Sequence, residues 1–322
     1  MAVIALGGAD WTSMSFAQQG GKVWRVGVVW AGRSGDTANE TAFLAGMKEY
    51  GYEVGRNLIV HTRHTEGEPA AIAKLVGEVI ELKPDALLGT STGVALEMKA
   101  RTSTIPIVTG TTGDPVGSGL VTSLRRPGGN ITGLALQIHE LSAKHVELIA
   151  EMLPRLRRVA VLSDVSSEKT IREKYERIAG KAAAAKGITI EVYRINSPLE
   201  VREAFRSLDQ RRADALLINP TPRFNVLRRE ICESAAKIRL PVVGFSDEWA
   251  EDGALLSYGP NFLEAYRRTA YFMDRIFKGA KAGDLPVEQP TRFSLVANAR
   301  SAKALGVEIP GPILLRASRV IE

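Results

Sequence analysis

The pentapeptide at residues 89–93, Gly-Thr-Ser-Thr-Gly, matches the G-x-S-x-G pattern that surrounds the nucleophile of many serine hydrolases. It lies between a predicted strand and a predicted helix, which is the setting that such a nucleophile requires. A triad also needs an acid and then a late histidine, whereas the histidines that follow Ser91 are His139 and His145. An α/β hydrolase that uses Ser91 is therefore the alternative interpretation, and we predict no enzymatic activity and no catalytic residue.

The same pentapeptide favours binding over catalysis. Ser91 and Thr92 bring two hydroxyl groups to the predicted start of a helix, where backbone N–H groups have no partner inside the helix. A helix start of this kind attracts anions, and a carboxylate is the group that we expect there. Capping of the helix by Ser91 is a compatible structural role, because one helix end offers several donors.

Other residue types that commonly carry chemistry are poorly placed for it. His61 and His64 are three residues apart on a predicted strand, so they point to opposite faces and do not suit one metal ion. Cys232 is the single cysteine and lies on a predicted helix among apolar residues, where a buried and inert thiol is expected. The sequence contains no G-x-x-x-x-G-K-[ST] phosphate loop. We predict no metal and no cofactor.

The elements that must position these residues follow an alternating α/β order. Short apolar runs predict strands at residues 23–30, 57–62, 85–89, 106–109 and 131–136. Apolar residues at helical spacing predict helices at residues 37–50, 70–82 and 93–101. Such alternation indicates a parallel sheet covered by helices. A turn that leads into a short helix is also expected at Asp114 and Pro115.

The second half of the chain repeats this order. The segments at residues 25–28, 83–88 and 105–108 are echoed, in the same order and at nearly constant spacing, by those at residues 158–161, 212–217 and 240–243. Three matches in order favour a repeated topology over chance recurrence. We therefore predict an α/β fold class, with two similar Rossmann-like lobes that each contain a parallel sheet.

Ligands of open parallel sheets bind beyond the carboxyl ends of the strands, so a ligand of this protein is expected between the two sheets. The candidate ligand-binding residues all follow predicted strands or lie where two halves join: Trp30, Ser91, Thr92, Thr111, Thr112, Asp114, Asn219, Phe224, Phe245, Asp247 and Tyr258. The four aromatic residues in this set indicate an apolar or aromatic ligand body. Asp247 is the candidate partner for an ammonium group, although capping of the next helix also explains it, as it explains Asp114.

Composition and charge set further limits. The 322 residues are 45% hydrophobic and 24% charged, which is typical of a globular protein. The net charge is +6, but acidic and basic residues are mixed along the chain, so we expect a solvated surface and no nucleic-acid partner. Residues 1–21 carry no Lys or Arg, and Ser15 and Ala17 fit a cleavage site, which indicates a signal-peptide remnant or else a disordered tail.

Residues 114–133, DPVGSGLVTSLRRPGGNITG, closely resemble the signature of the tryptophan-binding-protein-like group of ABC transporter substrate-binding proteins. Residues 256–260 (LSYGP), 284–291 (DLPVEQPT) and 302–306 (AKALG) also fit that group, and the resemblance spans about residues 23–322. It implies a periplasmic-binding-protein type I fold, in which two α/β lobes are joined by three hinge strands and the ligand lies between them. On this basis we expect the first lobe at residues 22–135 and about 260–286, and the second at residues 136–259 and about 287–322.

The resemblance also implies a function. A protein of this group captures a small molecule outside the cytoplasm and delivers it to the membrane permease of an ABC importer. For this chain we expect a periplasmic monomer, exported by a signal peptide, that binds an aromatic or branched amino acid or a related organic acid. Thr92 and Tyr258 match positions of the group's pattern, whereas Ser91, Gly93 and Asp247 depart from it, which leaves the identity of the ligand open.

Overall fold

The structure is a computed structural model that describes residues 22–322, so the predicted leader at residues 1–21 lies outside the described residues. The strands are β1 (Trp24–Trp30), β2 (Leu58–His64), β3 (Ala86–Gly89), β4 (Ile107–Thr112), β5 (Ile131–Ala135), β6 (Arg158–Asp164), β7 (Thr189–Ile195), β8 (Ala215–Ile218), β9 (Val242–Gly244), β10 (Leu256–Pro260), β11 (Phe293–Asn298) and β12 (Arg319–Ile321). The helices are α1 (Ala38–Glu49), α2 (Ile72–Glu81), α3 (Thr92–Arg101), α4 (Leu141–Met152), α5 (Lys169–Ala184), α6 (Pro198–Arg211), α7 (Pro222–Val226), α8 (Arg228–Lys237), α9 (Asp247–Glu251), α10 (Phe262–Phe277), α11 (Ala299–Leu305) and α12 (Gly311–Arg316).

The strands form two sheets, which confirms the predicted α/β class with two lobes. The first sheet has the order β2-β1-β3-β4-β5 and is parallel throughout. The second has the order β12-β11-β10-β9-β8-β6-β7, and its single antiparallel pair is β10 with β11. The run β7-β6-β8-β9-β10 reproduces the order of the first sheet, which explains the repeat that the sequence contains.

Burial on both faces explains why the central strands are almost continuously apolar. Five consecutive residues of β1, from Val26 to Trp30, are buried, and all four residues of β3 and of β8 are buried. Parallel strands covered by helices on both sides have this character. The helices contribute one apolar face each; in α2 that face includes Val76 and Val79.

The chain passes from one sheet to the other three times. It leaves the first sheet after β5, returns beside it with α10 after β10, and enters the second sheet again with β11. Helix α10 lies against α1, and a Cβ atom at Gly46 would be only 2.4 Å from the carbonyl oxygen of Arg267, so the two helix backbones approach closely. The first lobe is thus completed by a helix that comes from the C-terminal half of the chain.

The segment after Asp114 differs from its prediction. Residues 115–119 form turns, and the short helix that was expected there is absent from this described segment. Gly119 has a φ of +74°, a left-handed conformation that glycine adopts without strain and that ends a helical path. The helix was predicted because proline is common at the first position of a helix. The glycines at 117 and 119 favour turns instead.

Candidate functional site

A large cavity, called the cleft below, lies between the two lobes and contains roughly 1470 Å³ of space, part of which is open to solvent. Its first wall includes residues that follow β1, β2, β3 and β4, and its second wall includes residues that follow β6, β8 and β9. The cleft therefore occupies the carboxyl ends of the strands in both lobes, the place where parallel sheets bind ligands.

The structure brings six of the candidate residues together in the cleft. These are Trp30, Ser91, Thr92 and Thr111 on the first wall, and Asn219 and Phe245 on the second. The other five candidates, Thr112, Asp114, Phe224, Asp247 and Tyr258, lie outside the cleft lining.

Three of those five residues make their contacts with other parts of the protein rather than with the cleft. The hydroxyl of Thr112 donates to the carbonyl of Leu134 at 2.8 Å. Phe224 is fully buried in the core of the second lobe. The ring of Tyr258 stacks on Phe293, with the ring centres 5.8 Å apart.

The two acidic candidates also have other partners or positions. Asp114 accepts a hydrogen bond from the N–H of Gly117 at 2.8 Å and forms an ion pair with Lys174 of the second lobe. Burial alone would raise the pKa of Asp114, but the hydrogen bonds from Lys174 and Gly117 hold it below its usual range. Asp247 begins α9, and its neighbour Glu248 is the residue that lines the cleft.

The first wall presents the start of α3 and its hydroxyl groups. The side chain of Ser91 caps the helix by accepting from the N–H of Val94 at 3.2 Å. The Oγ1 of Thr92 accepts from the N–H of Gly113 at 3.1 Å. Each hydroxyl serves there as an acceptor, so its own hydrogen can be donated to a ligand. The hydroxyl of Thr111 instead donates to the carbonyl of Thr90 at 2.6 Å.

Aromatic rings from both lobes border the same space. Trp30 and Tyr266 meet with ring centres 4.9 Å apart, and burial raises the pKa of Tyr266 to about 12. On the other side, Phe245 and Phe262 line the cleft with ring centres 6.5 Å apart. Tyr266 lies within α10, far along the sequence from the first sheet and away from any strand end, so the search for residues that follow strands could not find it.

The second wall contains a buried ion pair that sequence reasoning also missed. Asp164, at the end of β6, is 2% exposed, and Arg223 in α7 is 6% exposed. Their Oδ1 and Nη1 atoms are 3.0 Å apart. The segments that contain both residues follow predicted strands, but the sequence does not show which side chains in them turn toward the cleft.

Several buried polar atoms of the cleft lining have no hydrogen-bond partner within residues 22–322. They include Trp30 Nε1, Asn39 Oδ1, Asn219 Nδ2, Arg223 Nε, Asn225 Oδ1 and Ser246 Oγ. Leaving a buried polar group unpaired costs about 1–3 kcal/mol, so native proteins rarely do so without a reason. These unpaired atoms make the cleft lining suited to a polar ligand.

Charged residues connect the two walls at the mouth of the cleft. Arg228 of the second lobe forms an ion pair with Asp36 of the first, with Nη1 and Oδ2 3.4 Å apart. Arg33 donates from Nη2 to the carbonyl of Val226 at 3.2 Å. These contacts hold the two lobes together across the opening.

The geometry does not favour the hydrolase interpretation. Ser91 is engaged with the N–H of Val94 in its own helix. His145 is fully buried, and its Nε2 is 2.7 Å from the carbonyl oxygen of Tyr258. Among residues 22–322, no group of three or more His, Cys, Asp or Glu residues is arranged to hold a metal ion. Within the same range, no helix is long and apolar enough to span a membrane.

Comparison with known proteins defines the class. The family described as "ABC transporter substrate binding protein" matches residues 30–321. A curated relative, the "Tyrosine-binding protein" of Clostridioides difficile (strain R20291), is 25% identical over 274 residues, which cover 83% of this chain and 76% of that protein. The chain belongs to the family of ABC transporter substrate-binding proteins. That family consists of solute-binding proteins, and this chain is not an enzyme.

Solved structures share the fold. A conserved domain protein from Vibrio cholerae is 28% identical with a TM-score of 0.85, over 93% of this chain and all of that one. An ABC domain from Streptococcus pneumonia in complex with L-Trp is 24% identical with a TM-score of 0.84, over 93% of this chain and all of that one. The resemblance that the sequence showed and the fold that it implied are thereby confirmed.

Proposed function

We propose that this protein captures a free amino acid with an aromatic or branched side chain, or a related small carboxylic acid, outside the cytoplasm and delivers it to the permease of an ABC importer. The supporting observation is the cleft itself, with a helix start and hydroxyls on one wall and aromatic rings beside them. The names of two relatives support the ligand class, since one is a tyrosine-binding protein and the other was solved with L-Trp.

The start of α3 is the proposed binding site for the ligand's carboxylate. Thr92 and Gly93 are the first residues of this ten-residue helix, and their N–H groups lack partners inside it. The hydroxyls of Ser91 and Thr92 stand at the same place and can donate. Hydrogen bonds to an ionised group contribute about 1.5–3 kcal/mol each, which is enough to orient a small ligand.

The aromatic residues of the cleft are the proposed surroundings of the ligand's side chain. Trp30 and Tyr266 on one side, with Phe245 and Phe262 on the other, offer ring faces and edges to a flat apolar group. A stacked or edge-to-face pair adds about 0.5–1.5 kcal/mol beyond the area that it buries. Aromatic amino acids satisfy this part of the cleft and the carboxylate site together.

Calorimetry with Thr92→Val tests the carboxylate site. The loss of one donor to a carboxylate should weaken binding of L-tyrosine or L-tryptophan about tenfold, which corresponds to about 1.4 kcal/mol. Thr189→Val is a matched control, because Thr189 is exposed at the start of β7, far from the carboxyl ends of the strands. Unchanged affinity in a folded Thr92→Val protein would remove this residue from the site. A wild-type protein that binds none of the amino acids or related acids would contradict the proposed ligand class.

We also propose that the lobes close on the ligand by a hinge, with the lobe boundaries given in the sequence analysis. The crossing segments are Leu134–Gln137, Leu256–Pro260 and Pro286–Gln289. Gln137 supports the first, because its φ of +44° is unusual for a residue with a side chain and marks a special backbone position. A bridge between Leu134 and Glu288 brings the first and third segments side by side. X-ray scattering profiles that are identical with and without saturating ligand would contradict closure.

A further inference from the structure

Four carboxylates line the cleft: Asp36, Asp164, Glu168 and Glu248. An amino acid brings an ammonium group, and a carboxylate oxygen is the strongest partner for it in a protein. Selection for an amine therefore requires one of these side chains to offer an oxygen that is fixed in place, shielded from solvent and not already used.

Three of the four meet these requirements poorly. Glu168 caps α5, and its two oxygens accept from the N–H groups of Thr170 and Ile171 at 3.0 and 2.8 Å. Asp36 is paired with Arg228 at the mouth of the cleft. Glu248 is half-buried on the first turn of α9, where water weakens the bond that it can make with a cation.

Asp164 meets all three requirements. Its side chain is almost fully buried at the carboxyl end of β6. Its Oδ1 accepts from the N–H of Ser166 at 3.0 Å, from the hydroxyl of Ser166 at 2.5 Å and from Nη1 of Arg223 at 3.0 Å. Oδ2 receives none of these three bonds. One oxygen anchors the carboxylate, and the other stays available to a ligand, because Asp164 lines the cleft.

The charges around Asp164 also favour a cation. Arg223 lies between two carboxylates, with Nη1 3.0 Å from Oδ1 of Asp164 and Nη2 3.7 Å from Oε2 of Glu68, which comes from the first lobe. Two negative charges and one positive charge leave this group at a net −1. An ammonium group beside Oδ2 neutralises it, so a ligand with an amine is bound with its charge compensated.

We infer that Asp164 is the residue that makes this protein select ligands carrying an amine, by accepting a hydrogen bond from the ligand's ammonium group through Oδ2. The inference rests on the proposed amino-acid ligand. It replaces Asp247, the residue that the sequence suggested for this role, with a side chain that lines the cleft. A ligand without the amine leaves a buried carboxylate oxygen unpaired, and sites of that kind reject such analogues strongly.

Calorimetry with matched ligands tests the inference. The ligands are L-tyrosine and L-tryptophan and their counterparts without the amine, 3-(4-hydroxyphenyl)propionic acid and indole-3-propionic acid. The wild-type protein should prefer each amino acid by about 100-fold, which corresponds to about 2.8 kcal/mol and lies near the upper end of what one hydrogen bond to a charged group contributes. Asp164→Asn should reduce that preference to less than tenfold, chiefly by weakening binding of the amino acids. Glu248→Gln, which changes another carboxylate of the cleft, should leave the preference intact.

Each alternative outcome is distinct. A wild-type protein that binds both members of a pair equally well overturns the inference but leaves the proposed carboxylate site standing, whereas one that binds neither overturns the proposed function and with it this inference. Equal weakening of both ligands by Asp164→Asn, or loss of the preference in Glu248→Gln, also overturns it. Should Asp164→Asn fail to fold because Arg223 loses its buried carboxylate partner, the double variant Asp164→Asn, Arg223→Gln removes both charges, and it must show the same loss of preference.

Discussion

The ion pair between Arg228 and Asp36 joins the lobes across the mouth of the cleft, so its removal should make the ligand leave faster. Asp36→Asn keeps the shape of the side chain and removes its charge. Arg228 keeps its second partner, Asp252, whose Oδ2 is 2.8 Å from Nε, so the arginine stays anchored in its own lobe. The substitution therefore weakens the attraction between lobes and leaves each lobe intact.

The size of the effect follows from distance and exposure. At 3.4 Å, Coulomb's law gives about 1 kcal/mol in water and about 5 kcal/mol at an effective dielectric constant of about 20. Measured values for exposed pairs are about 0.2–1 kcal/mol, because solvent and salt screen the charges. The side chains of Arg228 and Asp36 are 21% and 32% exposed, so we expect the upper end of that range. About 1 kcal/mol corresponds to an affinity about fivefold weaker.

Stopped-flow fluorescence at low and high salt measures the prediction. The dissociation rate should rise about fivefold in Asp36→Asn, while the association rate changes little. High salt should speed dissociation from the wild-type protein and have less effect on the variant. Asp209→Asn, on the exposed face of α6, is the control for a simple change of net charge.

A double-mutant cycle separates the pair from other effects of Asp36, which itself lines the cleft. Asp36→Asn, Arg228→Gln and the double variant should show a coupling energy of about 1 kcal/mol in ligand binding. A coupling energy below about 0.2 kcal/mol would refute the argument, and Asp36 would then act through direct contact with the ligand. The free energy of unfolding without ligand should show less coupling than binding does.

Two further predictions concern stability. Burial lowers the pKa of His145 from 6.5 to about 4. Between these pH values the unfolded chain binds a proton that the folded chain does not, so the free energy of unfolding decreases as the pH drops. Urea unfolding should show about 2 kcal/mol lost from this group between pH 7 and pH 5, and His145→Gln should reduce this dependence on pH. A Cβ atom at Gly244 would lie 2.1 Å from the Cβ of the buried Trp249. Gly244→Ala should therefore destabilise the protein by about 1–3 kcal/mol and lower its melting temperature accordingly. Gly180→Ala, at an open position of α5, is the control and should leave the melting temperature unchanged.

The regular elements were predictable from the sequence because burial on both faces leaves a strong signature. Strands such as β1 and β3 are short runs that are mostly apolar, and along the chain they alternate with segments whose apolar residues have helical spacing. The repeated order of the two sheets followed from the same signal. The turns at residues 115–119 were missed because the conformation of the glycines there decides the outcome, and that conformation is local.

The site was predictable only at the level of segments. Residues after a strand end enter a turn or a helix whose phase decides which neighbour faces the ligand. For that reason Arg223 lines the cleft while Phe224 is buried in the core, and Glu248 lines it while Asp247 does not. Side chains of neighbouring residues in a helix point in directions about 100° apart. The sequence does not show where such a short helix begins, so it does not show which of two neighbours faces the ligand.

The return of α10 to the first lobe has a consequence for the order in which the protein can form during synthesis. The core around the first sheet includes Tyr266, Phe272 and Met273 of α10, and the core around the second includes Leu295 of β11. A chain that grows from its N-terminus has therefore made the central strands of both sheets before these two cores can close, whereas the cores on the opposite faces of the sheets consist almost entirely of earlier residues. Neither lobe can reach its final packing until α10 and β11 are available, so we expect one face of each sheet to stay uncovered until a late stage of synthesis and the two lobes to be completed almost together.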